Sequence, residues 1–232
     1  VSLGGGILDE GEENRMPNPR ERALVTALLD TYGSTYAAEA GIHVEHATPA
    51  PLFQLLCLCL LLSAPIQSGN AVEAARALRQ AGLTTPRKMA DASWQDRVDV
   101  ITWHGYKRYD ERGSTMLGQT AEQVLHRYGG DLRKLRQEAQ GDVHVLEARL
   151  KEFKGIGKVG AAIFLREVQG TWEEVYPYVD ERVLRGARHL GLPGDAKALV
   201  RLVDRKDFPR LAAALIRVEL AKGHDAVRHK AA

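Results

Sequence analysis

The residues with the most chemical content are one carboxylate and the bend that precedes it. Phe153-Lys154-Gly155-Ile156-Gly157-Lys158-Val159-Gly160 contains a Gly-x-Gly bend flanked by two lysines, and Val179-Asp180 follows after a loop. Glycines let the backbone turn sharply and come close to a partner. A helix that starts at such a bend offers unpaired N–H groups, which suit a phosphate. A carboxylate such as Asp180 can stabilise a developing cation and position a water to attack it. Tyr176, Pro177, Tyr178 and Val179 offer apolar walls, and excluding water strengthens a charge interaction. The local sequence also allows a plainer role, since Asp180 is a good N-cap for a helix over 180–190. The two roles are compatible, because a cap residue lies at the positive end of a helix.

The elements that must position these residues read as helices. Leu146, Leu150 and Phe153 share one face of a helix over 143–153, and Ala161, Ala162, Ile163 and Leu165 form the packing side of one over 158–168. Other helices are expected over 19–32, from the Thr48-Pro49 cap, over 71–81, from Thr85-Pro86, and from the Ser93 cap through Val100. The run 52–64 is apolar on every side and reads as a helix buried all round. A long, surface-exposed helix is expected over 107–128, stopped by Gly129-Gly130, with Asp131 capping 132–137. Residues 170–177 read as a loop; helices are expected over 180–190, 195–203 and 208–221, and 223–232 as a polar tail. No sustained period-two alternation of β-branched residues is present, so the expected fold class is all-α.

Composition narrows the setting. A chain of 232 residues can bury a real core. Its net charge of +2 does not by itself announce a nucleic-acid binder. Asp9, Glu10, Glu12 and Glu13 crowd residues 1–17, expected to be a flexible acidic tail, and leave a more basic body. Cys57 and Cys59 sit two apart on a helix, point to different faces and cannot chelate one metal. Buried free thiols are expected, consistent with a reducing cytoplasm. Residues 1–15 carry no apolar core of a secretory signal, and 52–64 is too short to span a bilayer. The expected setting is cytoplasmic, nucleoid-associated in a bacterium, with no membrane partner.

The bend and the carboxylate together resemble the helix-hairpin-helix DNA glycosylases, the superfamily that contains endonuclease III, the adenine-mismatch glycosylases and the alkylbase glycosylases. Phe153-Lys154-Gly155-Ile156-Gly157 resembles their Leu-Pro-Gly-Val-Gly turn, and Val179-Asp180 their Val-Asp, whose aspartate is catalytic. Pro51 to Ala64 resembles their long buried helix ending in Leu-Leu-Ser-Ala, and Gly105-Tyr106-Lys107 their Gly-Leu-Tyr turn. The likeness covers roughly residues 20–221 in the family's order. It implies a two-lobed helical fold: 18–48 with 172–232 as one lobe, 49–171 as the other, the hairpin at about 153–160, and the active site where the lobes meet.

What the resemblance implies for function is base excision from duplex DNA carrying a damaged or mismatched base, which must leave the stack to be cut. Asp180 is the implied catalytic residue. Lys154, Gly155, Ile156, Gly157, Lys158 and Gly160 of the hairpin, with Lys107, Arg108 and Arg182, are the implied DNA contacts. Tyr106 and Gln67 are the implied wedge, and His104 and Tyr178 pocket residues. For Tyr106 a half-buried loop aromatic is an equal reading, and for Arg185 and Arg188 simple solvation is preferred. Bifunctional relatives carry a Schiff-base lysine two residues after the second hairpin glycine; Val159 holds that position here, and Lys158 is turned away by about 100°. A monofunctional enzyme is therefore expected. No cysteines follow Asp180 for the relatives' four-thiolate iron–sulfur cluster, so neither that cluster nor another metal is expected, apart from a monovalent cation at the hairpin when DNA is bound. A monomer is expected. Two alternatives stay open: a non-catalytic helix-hairpin-helix DNA-binding protein, and an abasic-site lyase using another amine.

Overall fold

In a computed structural model, residues 16–103, 106, 107 and 109–232 are described, except for the Trp103 side chain; residues 1–15, His104, Gly105 and Arg108 lie outside the described residues. Among the described residues there is no strand, and the chain has the all-α fold of endonuclease III. It divides into two compact units, 16–33 with Val179–Ala232 and Ser34–Tyr178.

The first helix, α1 (Pro19–Tyr32), begins with a capping box: Asn18 Oδ1 accepts from the Glu21 N–H at 2.8 Å, and Glu21 Oε2 accepts from the Asn18 N–H at 2.7 Å. Pro19 occupies the first turn, where its missing N–H costs nothing.

The unit Ser34–Tyr178 follows with α2 (Tyr36–Glu39), α3 (Pro49–Leu62), α4 (Ser68–Gln80), α5 (Pro86–Asp91), α6 (Trp94–Trp103), α7 (Asp110–Tyr128), α8 (Arg133–Glu138), α9 (Val143–Lys151) and α10 (Lys158–Val168). Its centre is α3, whose residues from Leu55 to Leu61 are all buried, as an unbroken apolar run requires. Helices α4, α7 and α10 pack on it. Thr48 makes no side-chain cap bond to α3, contrary to the expected cap; Pro49 alone marks that start. Helix α7 is amphipathic rather than simply exposed, since Leu117, Ala121, Val124 and Tyr128 bury one face of it. Asp131 Oδ1 accepts from the Arg133 N–H at 2.9 Å at the start of α8.

The boundary at 33/34 lies earlier than the expected 48/49 for a specific reason. Glu167 of α10 accepts from the N–H groups of Tyr36 (2.9 Å) and Ala37 (3.4 Å) and so ties α2 to this unit. At the other end, Trp172 is fully buried against Phe164, ring centroids 5.7 Å apart, which holds 172–178 here as well. The expected loop at 170–177 contains a short 3-10 turn, Glu173–Val175.

The other unit is completed by α11 (Glu181–Leu190), α12 (Ala196–Leu199), α13 (Phe208–Ala221) and α14 (His224–Ala231). Helices α1 and α11 pack on α13, and α14 packs on α1. Gly186 allows the close approach of α11, because a β-carbon there would lie 2.2 Å from the Leu215 carbonyl oxygen. The expected polar tail is helical as α14; Val227 is its buried anchor.

Candidate functional site

The hairpin is built from α9, the turn at 152–157 and α10. Phe153 and Ile156 are buried and fasten the turn from below, with the Ile156 N–H donating to the Phe153 carbonyl at 3.0 Å. Gly155 has φ +91°, a conformation that costs an L side chain about 1–2 kcal/mol. A β-carbon there would also meet the Met116 sulfur at 2.5 Å. Gly157 is the N-cap of α10, and with no side chain it offers none of the usual capping bonds to the helix. Nothing lies within 4 Å of where its β-carbon would be, so the approach to this helix start is open. Gly160 faces inward, where a β-carbon would lie 2.5 Å from Ser63 Oγ; that close packing seats α10 on α3. Lys154, Gly155, Gly157 and Lys158 are exposed, and Val159 is 39% exposed. The hairpin thus pairs an uncapped positive helix end with two surface ammonium groups, a combination suited to an anion.

Beside Gly155 the same unit holds a cavity of about 110 Å³, lined among others by Ser63, Tyr106, Tyr109, Arg112 and Met116. A more open groove of about 460 Å³ runs past Trp94, Glu111, Arg112, Thr115, Met116 and Lys154. Trp94 is 42% exposed, and its indole N–H donates to Thr115 Oγ1 at 3.1 Å. Trp94 and Arg112 were not singled out from the sequence. The sequence carries no signal for them, because the exposure of Trp94 follows from the packing of α6 against α7.

Tyr106 does not stand at the surface as a wedge. It is 2% exposed, its hydroxyl donates to the Leu61 carbonyl at 3.1 Å, and burial pushes its phenol pKa up. Its ring occupies the space left by Gly113 of α7, where a β-carbon would lie 2.9 Å from Cε1. Gln67 is exposed and stands at the N-cap position of α4 without a side-chain cap bond. Lys107 is exposed. His104 and Arg108 lie outside the described residues. Tyr178 is half-buried, and its backbone N–H donates to Gln169 Oε1 at 2.8 Å.

In the other unit, Asp180 is the half-buried N-cap of α11. Its Oδ1 accepts from the N–H groups of Arg182 (3.1 Å) and Val183 (3.0 Å), which fixes the carboxylate at a helix N-terminus. Arg182 is exposed on the first turn. Arg188 pairs with Glu181, and Arg185 lies 3.6 Å from Glu219, so both are engaged within α11 and α13.

The donor set for a four-thiolate cluster does not fit. Cys57 and Cys59 both lie in α3 and are buried, and that burial pushes both thiols well above their ordinary range, away from the thiolate form that binds iron.

No protein-family model and no curated protein sequence matches the chain. Solved structures do. A non-covalent endonuclease III–DNA complex is similar with a TM-score of 0.51 and 15% identity, covering 88% of this chain and 86% of that one. A trapped endonuclease III–DNA covalent intermediate is similar with a TM-score of 0.48 and 16% identity over the same shares. No helix among the described residues is long and apolar enough to cross a membrane.

Proposed function

We propose that this chain is a monofunctional DNA glycosylase that hydrolyses the N-glycosidic bond of a damaged or mismatched base flipped from duplex DNA. The observation that carries the reading is the bend at Gly155 to Gly157: an open, uncapped helix start between the exposed lysines 154 and 158. Backbone N–H groups of that kind hold a phosphate without reading sequence, which is the positioning half of a DNA contact. The shared fold with endonuclease III, whose solved complexes hold DNA, supports the same reading.

In the proposed reaction the bond from C1′ to the base nitrogen breaks, and the base leaves with the bonding pair and takes up a proton. Positive charge grows on the sugar. The Asp180 carboxylate stabilises that charge, and a water adds its oxygen to C1′ while losing a proton. Asn at this position would keep the shape and lose the charge. Val159 offers only carbon where a Schiff-base amine would be needed, so base release is not followed by strand cleavage. Lys154, Lys158, Lys107 and Arg182 are the proposed phosphate contacts. Arg112 and Trp94, beside Lys154, are proposed to meet an adjoining phosphate and an unstacked base. Carbonyls of the 154–157 turn are the proposed ligands of a monovalent cation in the DNA complex. The proposed protein is a monomer acting on duplex DNA, in the nucleoid if the source is bacterial.

The second reading is a helix-hairpin-helix DNA-binding protein without catalysis, favoured by the two cap bonds of Asp180, which give that residue a structural task. Oligonucleotide duplexes carrying a panel of lesions separate the two. Base release by wild type and its loss in Asp180→Asn, with DNA affinity retained, supports the enzyme. Binding by both proteins with no release from any lesion supports the second reading.

A further inference from the structure

Three side chains from three different helices converge at one point far along the chain from the hairpin. His189 lies in the last turn of α11, Glu219 near the end of α13, and His224 at the first position of α14. His189 Nδ1 lies 2.6 Å and His224 Nε2 2.7 Å from the same Glu219 oxygen, Oε1. The candidate ligand atoms of all three lie within 4.8 Å of one another. The histidine rings meet edge to face with centroids 5.6 Å apart.

We propose that His189, Glu219 and His224 form a binding site for a divalent transition metal, zinc being the ion whose chemistry fits best. Two imidazole nitrogens and one carboxylate oxygen are a donor set that such ions accept, with a fourth position left to water. Bonds of about 2.0–2.1 Å at tetrahedral angles put ligand atoms roughly 3.3 Å apart. Each nitrogen must therefore give up the proton it directs at Oε1, to solvent or to its other ring nitrogen, and retreat from that oxygen by about 0.6 Å to admit the ion. The His189 side chain is 55% exposed and can move by that much, while Glu219 and His224, at 17% and 18%, stay held by the fold.

Arg185 Nε lies 3.6 Å from the other Glu219 oxygen, Oε2, and leaves Oε1 to the imidazoles. Arg228 donates to the His189 carbonyl and anchors that end of α11 to α14. An ion bound here ties α14 to both α11 and α13. It acts as a clasp on a helix that otherwise has a single buried residue, Val227. The sequence gives little sign of it, because the ligands are separated by 30 and 5 positions and come together only when α14 folds back.

The test is calorimetric titration of the full chain with Zn²⁺ at pH 7.5, with the melting temperature read in parallel. The expected result is one equivalent bound and a higher melting temperature. His189→Ala and Glu219→Gln should each lower the affinity by at least about tenfold, the cost known for removing even an outer partner of a metal site. Glu219→Gln keeps the shape of the side chain and guards against a His224→Ala variant that fails to fold. His43, Glu45 and His46 form a second, exposed group, so a His43→Ala/His46→Ala variant serves as the control and should bind as wild type does. No binding by wild type, or binding lost in that control and kept in His189→Ala, would overturn the proposal.

Discussion

Asp180 Oδ1 accepts the backbone N–H of Val183 at 3.0 Å, so the one carboxylate proposed to do chemistry is also the cap of its own helix. The two tasks separate by substitution. Asparagine caps about as well as aspartate, whereas alanine costs about 1 kcal/mol. Asp180→Asn should leave urea-unfolding stability within about 0.5 kcal/mol of wild type and abolish base release. Asp180→Ala should lose both. Equal activity in Asp180→Asn and wild type would leave the residue with the cap alone.

Two hairpin glycines should respond in opposite ways. Gly155→Ala places a side chain at φ +91° and against Met116, so it should destabilise the fold by about 1–2 kcal/mol. Gly157→Ala meets nothing in the protein and should fold as wild type does. Its methyl group would instead obstruct whatever approaches the start of α10, and duplex affinity should drop. Thermal unfolding and a DNA-binding isotherm on both variants check the pair.

Trp94→Ala should weaken binding to DNA that carries an unstacked base by about 1–3 kcal/mol, the range for base–aromatic stacking, with little change in melting temperature. Tyr106→Phe should do the reverse: it loses the buried bond to Leu61, about 1 kcal/mol of stability, and leaves DNA affinity unchanged. An inverted outcome would move the wedge back to Tyr106.

Much of the helical fold was legible because its signals are local. The ranges of α1 and α13, the continuous burial of α3 and the N-cap at Asp180 follow from periodicity and cap residues within a few positions. What was not legible depends on distant partners. Tyr106 is buried by Leu61, 45 positions earlier, and by the gap at Gly113. Helix α2 joins its unit through Glu167, 131 positions later, which reads in the sequence as one more polar residue of α10. Helix α14 carries too few apolar residues to show a face in the sequence; it packs on α1 and buries Val227. In the candidate site, the lysines and glycines of the bend announced themselves by spacing, whereas Trp94 and Arg112 reach the groove beside Lys154 only through the packing of α6 against α7.

One ion pair should set part of the acid sensitivity. Arg136 forms a two-pronged pair with Glu174, at 2.6 and 2.7 Å, and stacks over Trp172 at 5.4 Å. The hydrogen bond from Arg136 holds the Glu174 carboxyl below its ordinary value. A depressed pKa stabilises the fold above the unfolded value of about 4.3, and that contribution is lost as pH falls through the lower folded value. Glu174→Gln should therefore cost about 1 kcal/mol at pH 7, discounted for partial exposure. The difference from wild type should shrink as pH falls below the unfolded value of about 4.3 and vanish once the folded carboxyl is protonated as well, as read by urea unfolding across pH.

The central claim is tested most directly by incubating the protein with duplexes bearing a lesion panel and resolving the products with and without alkali. The account predicts free base from at least one lesion, strand breaks only after alkali, and no adduct trapped by borohydride. Intact bases on every duplex, or strand breaks without alkali together with a trapped adduct, would contradict it.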